Sequence, residues 1–340
     1  MPEDSAIPLA GMTTLRLGGP ARRLVTVSSA DETVAAVRAA DAAGERVLVL
    51  AGGSNVVVPD AGFDGTALVL RSAGIHAVRG EGTVAVTVAA GHDWDSFVAW
   101  TVAEGLAGVE CLSGVPGSAG ATPIQNVGAY GQEVADTITA VTAYDRTTGT
   151  VVALTPAECG FTYRHSVFKG RDRYVVLDVT FGLRPEAASG PLRFGELTRV
   201  LDVPAGGTAA PAAVREAVLG LRRGKGMVLD PDDPDTWSVG SFFTNPVVPA
   251  VAVPAEAPRF DAGDGLVKTS AAWLIERAGF TRGYGRDGVS LSTKHTLALT
   301  NRGTGSTDAL LGLAREVRDG VRSAFGITLV NEPVLIDAEL

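Results

Sequence analysis

The stretch VLVLAGGSNVVVPDAG, from Val47 to Gly62, places two glycines, a serine and an asparagine between two valine-rich runs. Each run has the composition of a buried strand, so the pattern predicts a glycine turn that joins two strands. The dinucleotide pattern G-x-G-x-x-G and the phosphate-loop pattern G-x-x-x-x-G-K-[ST] both lead into a helix, and AGGSN matches neither. A plain tight turn or bulge explains this stretch as well as a ligand-binding turn does.

The composition limits the classes of protein to which the chain can belong. Its 340 residues are enough for two or three domains, and the net charge of −9 argues against a nucleic-acid or membrane-surface binder. No long apolar run and no secretory leader are evident, so we expect a cytoplasmic location. Cys111 and Cys159 lack metal-type spacing, so we expect free thiols and no metal site. Residues 161–230 carry an excess of basic side chains, which suits a small anionic ligand or, equally, a solvated face.

The hydrophobic periodicity predicts an α+β chain rich in strands. Ser29 and Glu32 form a capping box before a helix over 31–43, within a β-α-β-β unit. Strands are expected over 46–50, 55–58, 66–70, 83–90, 138–145, 149–154 and 174–183, and a second helix over 95–105.

Near the end of the chain an amphipathic helix is expected over 306–326, followed by a strand over 327–336 that is interrupted at Pro333. The apolar face of this helix comprises Leu310, Leu313, Val317, Val321 and Phe325. Ala/Pro-rich surface connections are expected over 184–191, 201–213 and 246–258.

A second glycine-rich stretch, CLSGVPGSAGATPIQNVGAYGQE, runs from Cys111 to Glu133 and contains the amide pair Gln125-Asn126. Long irregular loops are uncommon inside domains unless they bind something. The backbone donors of such a loop suit a pyrophosphate and a ring with amide-like edges. The alternative is an ordered loop that binds nothing.

Together, AGGSN and VPGSAGATPIQNVGAYG resemble, in this order and separation, the FAD-binding domain of the vanillyl-alcohol-oxidase (PCMH) type. More narrowly, the chain resembles the UDP-N-acetylenolpyruvoylglucosamine reductase family through TTLRLGGPA, FTYRHSVFK, GSFFTNP, AAWLIERAG, VSLSTKHTLALTN and NEPVLI. The resemblance implies a two-lobed FAD-binding domain and a smaller α+β substrate-binding domain. The implied FAD-binding subdomains cover 1–71 and 72–225, the substrate-binding domain covers 226–330, and the strand 331–340 returns to the core.

The resemblance also implies the reaction. NADPH reduces non-covalently bound FAD, which passes a hydride to C3 of UDP-N-acetylglucosamine enolpyruvate before C2 is protonated. The product, UDP-N-acetylmuramate, is a peptidoglycan precursor, so a role in cell-wall biogenesis, cell shape and cell division is implied. NADPH and the UDP-sugar enolpyruvyl ether are the expected partners of a monomeric enzyme. The residues implied to bind FAD are Gly52, Gly53, Ser54, Asn55, Val56, Gly117, Ser118, Gln125, Asn126, Gly128, Ala129 and Val176.

Three residues are implied to be catalytic, and each has a plainer explanation from its local sequence. Arg164 could hold a carboxylate bidentately, or form an ordinary salt bridge. Ser241 lacks a nucleophile elbow and is implied to be the proton donor, or it is a turn serine bonded to its own backbone. Glu332, held extended by Pro333, is implied to orient Arg164 or relay a proton, or it is a surface acid beside a turn.

The resemblance implies substrate contacts by Arg222, Lys225, Asn245 and His295. A solvated basic helix end and a core histidine are the alternatives for this group. The chain also departs from the family, because Phe194 stands in the substrate-closing loop where a tyrosine is expected. A phenylalanine ring can stack on a ligand but cannot donate the phenolic hydrogen bond, so we expect the difference to affect the affinity for the nucleotide.

Two further functions fit parts of the pattern. A different flavoenzyme on the same scaffold, such as a sugar or alcohol oxidase, would bind FAD and consume oxygen without needing Arg164, Ser241 and Glu332 together. A non-enzymatic nucleotide-sugar binder would bind uridine nucleotides and remain colourless.

Overall fold

In the computed structural model, which describes residues 7–340, helices and sheets are mixed along the chain, which confirms the α+β class. The strands are β1 (Ala21–Val27), β2 (Val47–Leu50), β3 (Val56–Val57), β4 (Phe63–Leu70), β5 (Ile75–Arg79), β6 (Val84–Ala89), β7 (Gly128–Ala129), β8 (Gln132–Glu133), β9 (Ile138–Asp145), β10 (Thr150–Leu154), β11 (Tyr174–Leu183), β12 (Val247–Pro249), β13 (Arg259–Asp261), β14 (Leu266–Thr269), β15 (Gly285–Arg286), β16 (Val289–Leu291), β17 (Leu299–Asn301) and β18 (Val334–Leu335). The helices are α1 (Ala30–Ala42), α2 (Trp94–Ala103), α3 (Pro156–Cys159), α4 (Gly195–Leu201), α5 (Pro211–Gly224), α6 (Ala271–Arg277) and α7 (Thr307–Phe325).

The two predicted helix starts that carry capping residues are confirmed. Ser29 Oγ accepts the Glu32 N–H over 3.2 Å at the start of α1, while the Glu32 carboxylate reaches back to the Ser28 N–H over 2.7 Å. At α7, Ser306 Oγ accepts the Ala309 N–H, and the helix ends at Gly326 with a left-handed φ of 69°. The predicted apolar face of α7 is buried, apart from half-buried Phe325, which packs on the same core.

Three local expectations were wrong. Residues 327–330 form no strand: the Val330 carbonyl accepts hydrogen bonds from the N–H and the hydroxyl of Thr244, Asn331 makes an isolated bridge, and regular pairing begins only at β18. The predicted connection over 201–213 contains the first turn of α5, because Pro211 occupies an initial helical position where its missing N–H costs nothing. The predicted connection over 246–258 contains β12 and a 3-10 turn.

Contacts divide the chain into two units, and the glycine turn contributes to both. The first unit comprises Ala21–Gly52 and Asp64–Gly224. It contains a three-stranded sheet in the order β1-β4-β2, with β2 and β4 parallel, and a five-stranded sheet in the order β10-β9-β11-β6-β5. One hydrophobic core joins strands of both sheets to α2, whose Trp94 and Phe97 are fully buried. The predicted boundary at residue 72 falls within the chain that builds this core, and the subdomain division stays a prediction.

The second unit comprises Ile7–Pro20, Gly53–Phe63 and Lys225–Leu340. It contains the small sheets β12-β14-β13 and β15-β16-β17, and its core is built by α6 and α7 with Phe242 and Phe243. The C-terminal strand β18 runs parallel to β3, with Val334 opposite Val56 and Leu335 opposite Val57. The segment after the glycine turn therefore pairs with the end of the chain.

Candidate active site

The two glycine-rich segments meet in the first unit at Gly52 and Gly117. A Cβ atom on Gly52 would lie 2.6 Å from Gly117 Cα, so no larger residue fits without moving the backbone. Gly117 itself has a φ of 122°, which side chains rarely allow. Two backbones that approach without side chains leave their peptide groups accessible to a ligand, as phosphate groups require.

Ser118 lies beside this contact and carries a buried hydroxyl. Its side chain is 4% exposed and its Oγ atom has no hydrogen-bond partner in the structure. The backbone around it is fixed, because Ala119 N–H donates to His92 O over 2.9 Å and Trp94 N–H donates to Gly117 O over 3.1 Å. Buried hydroxyls normally have a partner, so this one indicates a missing polar group. A pyrophosphate oxygen fits both the hydroxyl and the glycine cradle.

The second half of the turn belongs to the second unit. Gly53 has a φ of 57°, and a Cβ atom there would collide with the Met12 carbonyl. Ser54 and Asn55 follow, and the Asn55 carbonyl accepts the Val334 N–H over 3.0 Å before Val56 begins β3. The turn thus joins two strands, as the sequence predicts.

The segment 111–133 is more ordered than the predicted irregular loop. It contains two 3-10 turns, Glu110–Leu112 and Ala119–Ala121, and the β7–β8 hairpin. Asn126, at a φ of 46°, donates from Nδ2 to Glu133 Oε2 over 2.7 Å and accepts the Ala135 N–H over 3.1 Å. Its amide therefore builds the loop, with Gln125 next to it and Gly128 and Ala129 forming β7. Val176, the last of the residues implied to bind FAD, is buried in β11, and its contact with the cofactor stays a prediction.

Arg164 is tied to this loop in the first unit. Its guanidinium donates to Gly128 O over 2.6 Å and to Asn126 O over 3.3 Å, and Nη1 lies 3.8 Å from Glu133 Oε1. Lys169 Nζ in turn donates to Arg164 O over 3.2 Å. The φ of 54° at Arg164 is uncommon for a residue with a side chain and marks a position whose conformation its surroundings dictate. These contacts include the salt bridge foreseen as the plain alternative, and the catalytic role stays a prediction.

An aromatic and basic cluster lies at the end of α5, also in the first unit. The rings of Phe194 and Tyr130 meet edge to face with centroids 5.1 Å apart, and Phe194 is 41% exposed. Burial raises the pKa of Tyr130, although the charge of Arg222 opposes the shift and Glu196 adds to it. Burial likewise lowers the pKa of Arg222, which is half-buried, whereas Arg223 is exposed, and the substrate contact by Arg222 stays a prediction.

In the second unit, the segments that carry Ser241 and Glu332 are neighbours. Glu332 N–H donates to Phe242 O over 2.9 Å, and Phe243 bridges Asn331 in an antiparallel pairing. The Phe242 N–H in turn donates to Leu297 O over 2.7 Å. Ser241 follows Gly240, whose φ of 76° turns the chain before the aromatic pair. The structure thus brings two of the three predicted catalytic residues onto adjacent segments.

The predicted substrate residues of the second unit are Lys225, Asn245 and His295. Asn245 Oδ1 accepts the Ala271 N–H over 3.0 Å at the start of α6, which is a structural use of that side chain. His295 is half-buried, and its carbonyl accepts the Ala298 N–H. Neighbouring Lys294 pairs with Asp233 over 2.5 Å, which raises the pKa of the lysine. Substrate contacts by these residues stay a prediction.

Two buried acids, Glu110 and Asp235, are not predicted from the sequence. Glu110 is fully buried, accepts the Gly108 N–H over 2.6 Å and receives the Gln132 amide at 3.3 Å. Asp235 accepts the Thr293 N–H over 2.8 Å and Arg302 Nη1 over 2.9 Å. Neither acid lies in a recognisable motif. Glu110 binds a backbone N–H and an amide, which many sequences can supply, and the partners of Asp235 are far away in the sequence. A further buried polar residue that the sequence does not single out, Thr14, donates its N–H to Gly53 O over 3.1 Å.

Cys111 and Cys159 are free and buried, as predicted. Burial raises the pKa of the Cys111 thiol to about 12 and that of Cys159 to about 11, in each case helped by the preceding glutamate. Both are therefore inert thiols at neutral pH. Within residues 7–340 no group of three His, Cys, Asp or Glu side chains is arranged to hold a metal ion. Over the same residues, every helix is too short or too polar to cross a bilayer.

An α+β fold in which a glycine turn joins two strands, together with a matching FAD-binding family model, places the chain among FAD-binding proteins outside the Rossmann class. A family model described as an FAD binding domain matches residues 21–155. A second model, described as the C-terminal domain of UDP-N-acetylenolpyruvoylglucosamine reductase, matches residues 232–336. The chain belongs to the UDP-N-acetylenolpyruvoylglucosamine reductase family.

Whole-chain relatives support this membership. The chain is 56% identical to the UDP-N-acetylenolpyruvoylglucosamine reductase of Thermobifida fusca over 98% of each chain. It is 57% identical to the protein of the same name from Streptomyces coelicolor, over 98% of this chain and 90% of that one. The crystal structure of the Thermus caldophilus reductase superposes with a TM-score of 0.67 at 24% identity, over 97% of this chain and 98% of that one. That last likeness supports the fold.

Proposed function

We propose that the protein catalyses the NADPH-dependent, FAD-mediated reduction of UDP-N-acetylglucosamine enolpyruvate to UDP-N-acetylmuramate, in peptidoglycan precursor synthesis. The observation that carries this proposal is the cradle of Gly52 and Gly117 with the buried Ser118 hydroxyl beside it. Membership of the family supplies the substrate and the co-substrate.

The chain fits non-covalently bound FAD. When bound, FAD would take a hydride from NADPH and deliver it to C3 of the enolpyruvyl group. Ser118 would donate its hydroxyl hydrogen to a pyrophosphate oxygen, together with backbone N–H groups of the residues around Gly52 and Gly117. Asn126 keeps the loop in its binding shape through bonds to Glu133 and Ala135. The remaining cofactor contacts assigned from the sequence are part of the same proposal.

Ser241 is the proposed proton donor to C2 of the substrate. A serine hydroxyl is a weak acid, so it can serve only a strongly basic carbon, with a neighbouring group to stabilise the resulting alkoxide. That group must be a cation, so Glu332 is proposed instead to orient Arg164 or to relay a proton, since its segment is hydrogen-bonded to Phe242, the residue after Ser241. Arg164 is proposed to stabilise the negative charge that develops on the enolpyruvyl carboxylate, because a guanidinium stays charged and binds two oxygens at once.

Arg222, Lys225, Asn245 and His295 are proposed to contact the sugar nucleotide, and Phe194 to stack on it. Arg222 is half-buried in the cluster with Tyr130, and a guanidinium can bind two diphosphate oxygens at once. The proposal also includes a monomeric enzyme in the cytoplasm and the three-domain division at residues 72 and 226.

Anaerobic NADPH oxidation tests the proposal. NADPH should be consumed beyond one equivalent of FAD only when UDP-N-acetylglucosamine enolpyruvate is added, with one product molecule per NADPH. In a parallel aerobic assay, rapid oxygen consumption with sugars or alcohols that does not require the enolpyruvyl nucleotide would indicate the oxidase instead. Uridine nucleotide binding by a colourless protein would indicate the non-enzymatic binder.

A further inference from the structure

Thr14 lies between the glycine turn and the segment that leads to Ser241. Thr14 is 6% exposed, and its hydrogen-bond partners Gly53 and Ser238 lie with it in the second unit. The Thr14 N–H donates to Gly53 O over 3.1 Å, and the Thr14 hydroxyl donates to Ser238 O over 2.6 Å. Gly53 O also lies 3.4 Å from the hydroxyl. One residue therefore bonds both the turn and the approach to the proposed proton donor.

Both ends of this connection are held by further contacts. Gly53 cannot shift freely, because its left-handed backbone packs against Met12 O and Thr13 Cα. At the other end, Ser238 bridges Thr300, and its hydroxyl accepts the Gly240 N–H over 3.1 Å. The turn and the Ser238–Ser241 segment are therefore joined through Thr14 by hydrogen bonds, with further contacts holding each end.

Neighbouring residues hold the segment of Thr14 in the same register. Asn301 donates from Nδ2 to Leu15 O over 3.0 Å. The Arg16 guanidinium stacks on the Trp237 ring at 3.8 Å and donates to Pro231 O over 2.8 Å. These contacts keep the backbone of Thr14 in place when its hydroxyl is removed, so the hydroxyl can be tested separately from the fold of the segment.

We propose that Thr14 is a positioning residue that couples the cofactor-binding turn at Gly53 to the segment carrying Ser241. Binding of the pyrophosphate at the turn then fixes the position of the serine hydroxyl before the substrate arrives. This inference rests on the proposed function, since it takes the turn as the cofactor site and Ser241 as the proton donor. The inference gives a role to the TTLRLGGPA motif, to whose threonines the proposed reaction assigns no catalytic role.

Thr14→Val removes the hydroxyl and keeps the shape of the side chain, and Thr14→Ser restores the hydroxyl. Thr13→Val is the matched control, because Thr13 Oγ1 also makes a buried hydrogen bond, of 2.9 Å, but to Leu17 O within its own turn. Amide hydrogen exchange over residues 237–243 should slow when FAD is added to the wild-type, Thr14→Ser and Thr13→Val proteins. We expect that protection to be lost in Thr14→Val.

Single-turnover kinetics provide the second readout. In Thr14→Val, oxidation of the NADPH-reduced enzyme by the enolpyruvyl nucleotide should slow about 10- to 100-fold, which is typical of a displaced catalytic group. Reduction by NADPH should stay within about twofold, since Ser241 takes no part in it. Equal protection by FAD in Thr14→Val and wild type, or equal slowing in Thr14→Val and Thr13→Val, would overturn the inference. A wild-type enzyme that is reduced by NADPH but never oxidised by the enolpyruvyl nucleotide would instead overturn the proposed function, and the role of Thr14 with it.

Discussion

Gly52 and Gly117, which are 65 positions apart in the chain, lie backbone to backbone, so that a Cβ atom on Gly52 would come 2.6 Å from Gly117 Cα. This contact joins the two glycine-rich loops, and Ser118 places a buried hydroxyl beside it. The site is therefore built from nonlocal backbone contacts more than from a linear motif.

Gly52→Ala should weaken FAD binding roughly 10-fold or more, because relieving a backbone clash costs about 1–3 kcal/mol. Fluorescence titration of the apoprotein with FAD measures this change. Gly220→Ala is the control, since a Cβ at that exposed position of α5 meets nothing within 4 Å. Equal FAD affinity in Gly52→Ala and Gly220→Ala would show that the contact between Gly52 and Gly117 does not form the FAD-binding site.

Ser241→Ala should keep FAD and the NADPH half-reaction but slow reduction of the enolpyruvyl nucleotide on the order of 100- to 10,000-fold, the usual contribution of a positioned proton donor. Stopped-flow absorbance at the flavin band separates the two half-reactions. Ser323→Ala, on the exposed surface of α7, should behave as wild type. A normal second half-reaction in Ser241→Ala would exclude this serine as the donor.

Phe194→Tyr should change KM for the sugar nucleotide roughly 3- to 10-fold, which is the effect of one hydrogen bond. The rate of flavin reduction should stay unchanged, because the ring packs on Tyr130 and the substitution adds only a hydroxyl at its edge. Steady-state KM and single-turnover reduction are the two measurements. A large effect confined to the NADPH half-reaction would contradict this role.

Asp145→Asn should reduce thermal stability at pH 7 and have little effect near pH 2. Hydrogen bonds from Arg173 outweigh the opposing effect of burial and lower the pKa of Asp145 from 3.8 to about 2. Because the pKa is lowered, the carboxylate stabilises the fold above pH 3.8 and loses this contribution as the pH falls towards 2. Thermal midpoints across pH 2–7 test the sign. Asp172→Asn, at a carboxylate that is 90% exposed, should change little at any pH.

The sequence predicts the parts of the fold that follow local rules. Ser29 and Ser306 mark helix starts, and the apolar face of α7 and the alternation in β9 and β11 repeat over many residues. It misses α5, where Pro211 suggests a connection, and the strands β12 to β17 of the second unit, which have two to four residues and are too short to show a period.

In the candidate site, too, some features can be predicted from local sequence and others depend on the folded chain. The glycines at 52 and 117 are visible as motifs, but their contact is a property of the folded chain. Thr14 and Asp235 lie in ordinary surroundings in the sequence, and their importance depends on carbonyls and cations that are more than 30 positions away. Buried polar networks of this kind require the structure, because any Thr or Asp can supply the hydrogen bond.

Titration of the purified, flavin-free protein with FAD tests the central claim most directly. We expect saturable binding of one FAD per chain, with the yellow colour of a flavoprotein and binding weakened roughly 10-fold or more in Gly52→Ala. A well-folded protein that stays colourless and takes up no FAD would contradict it.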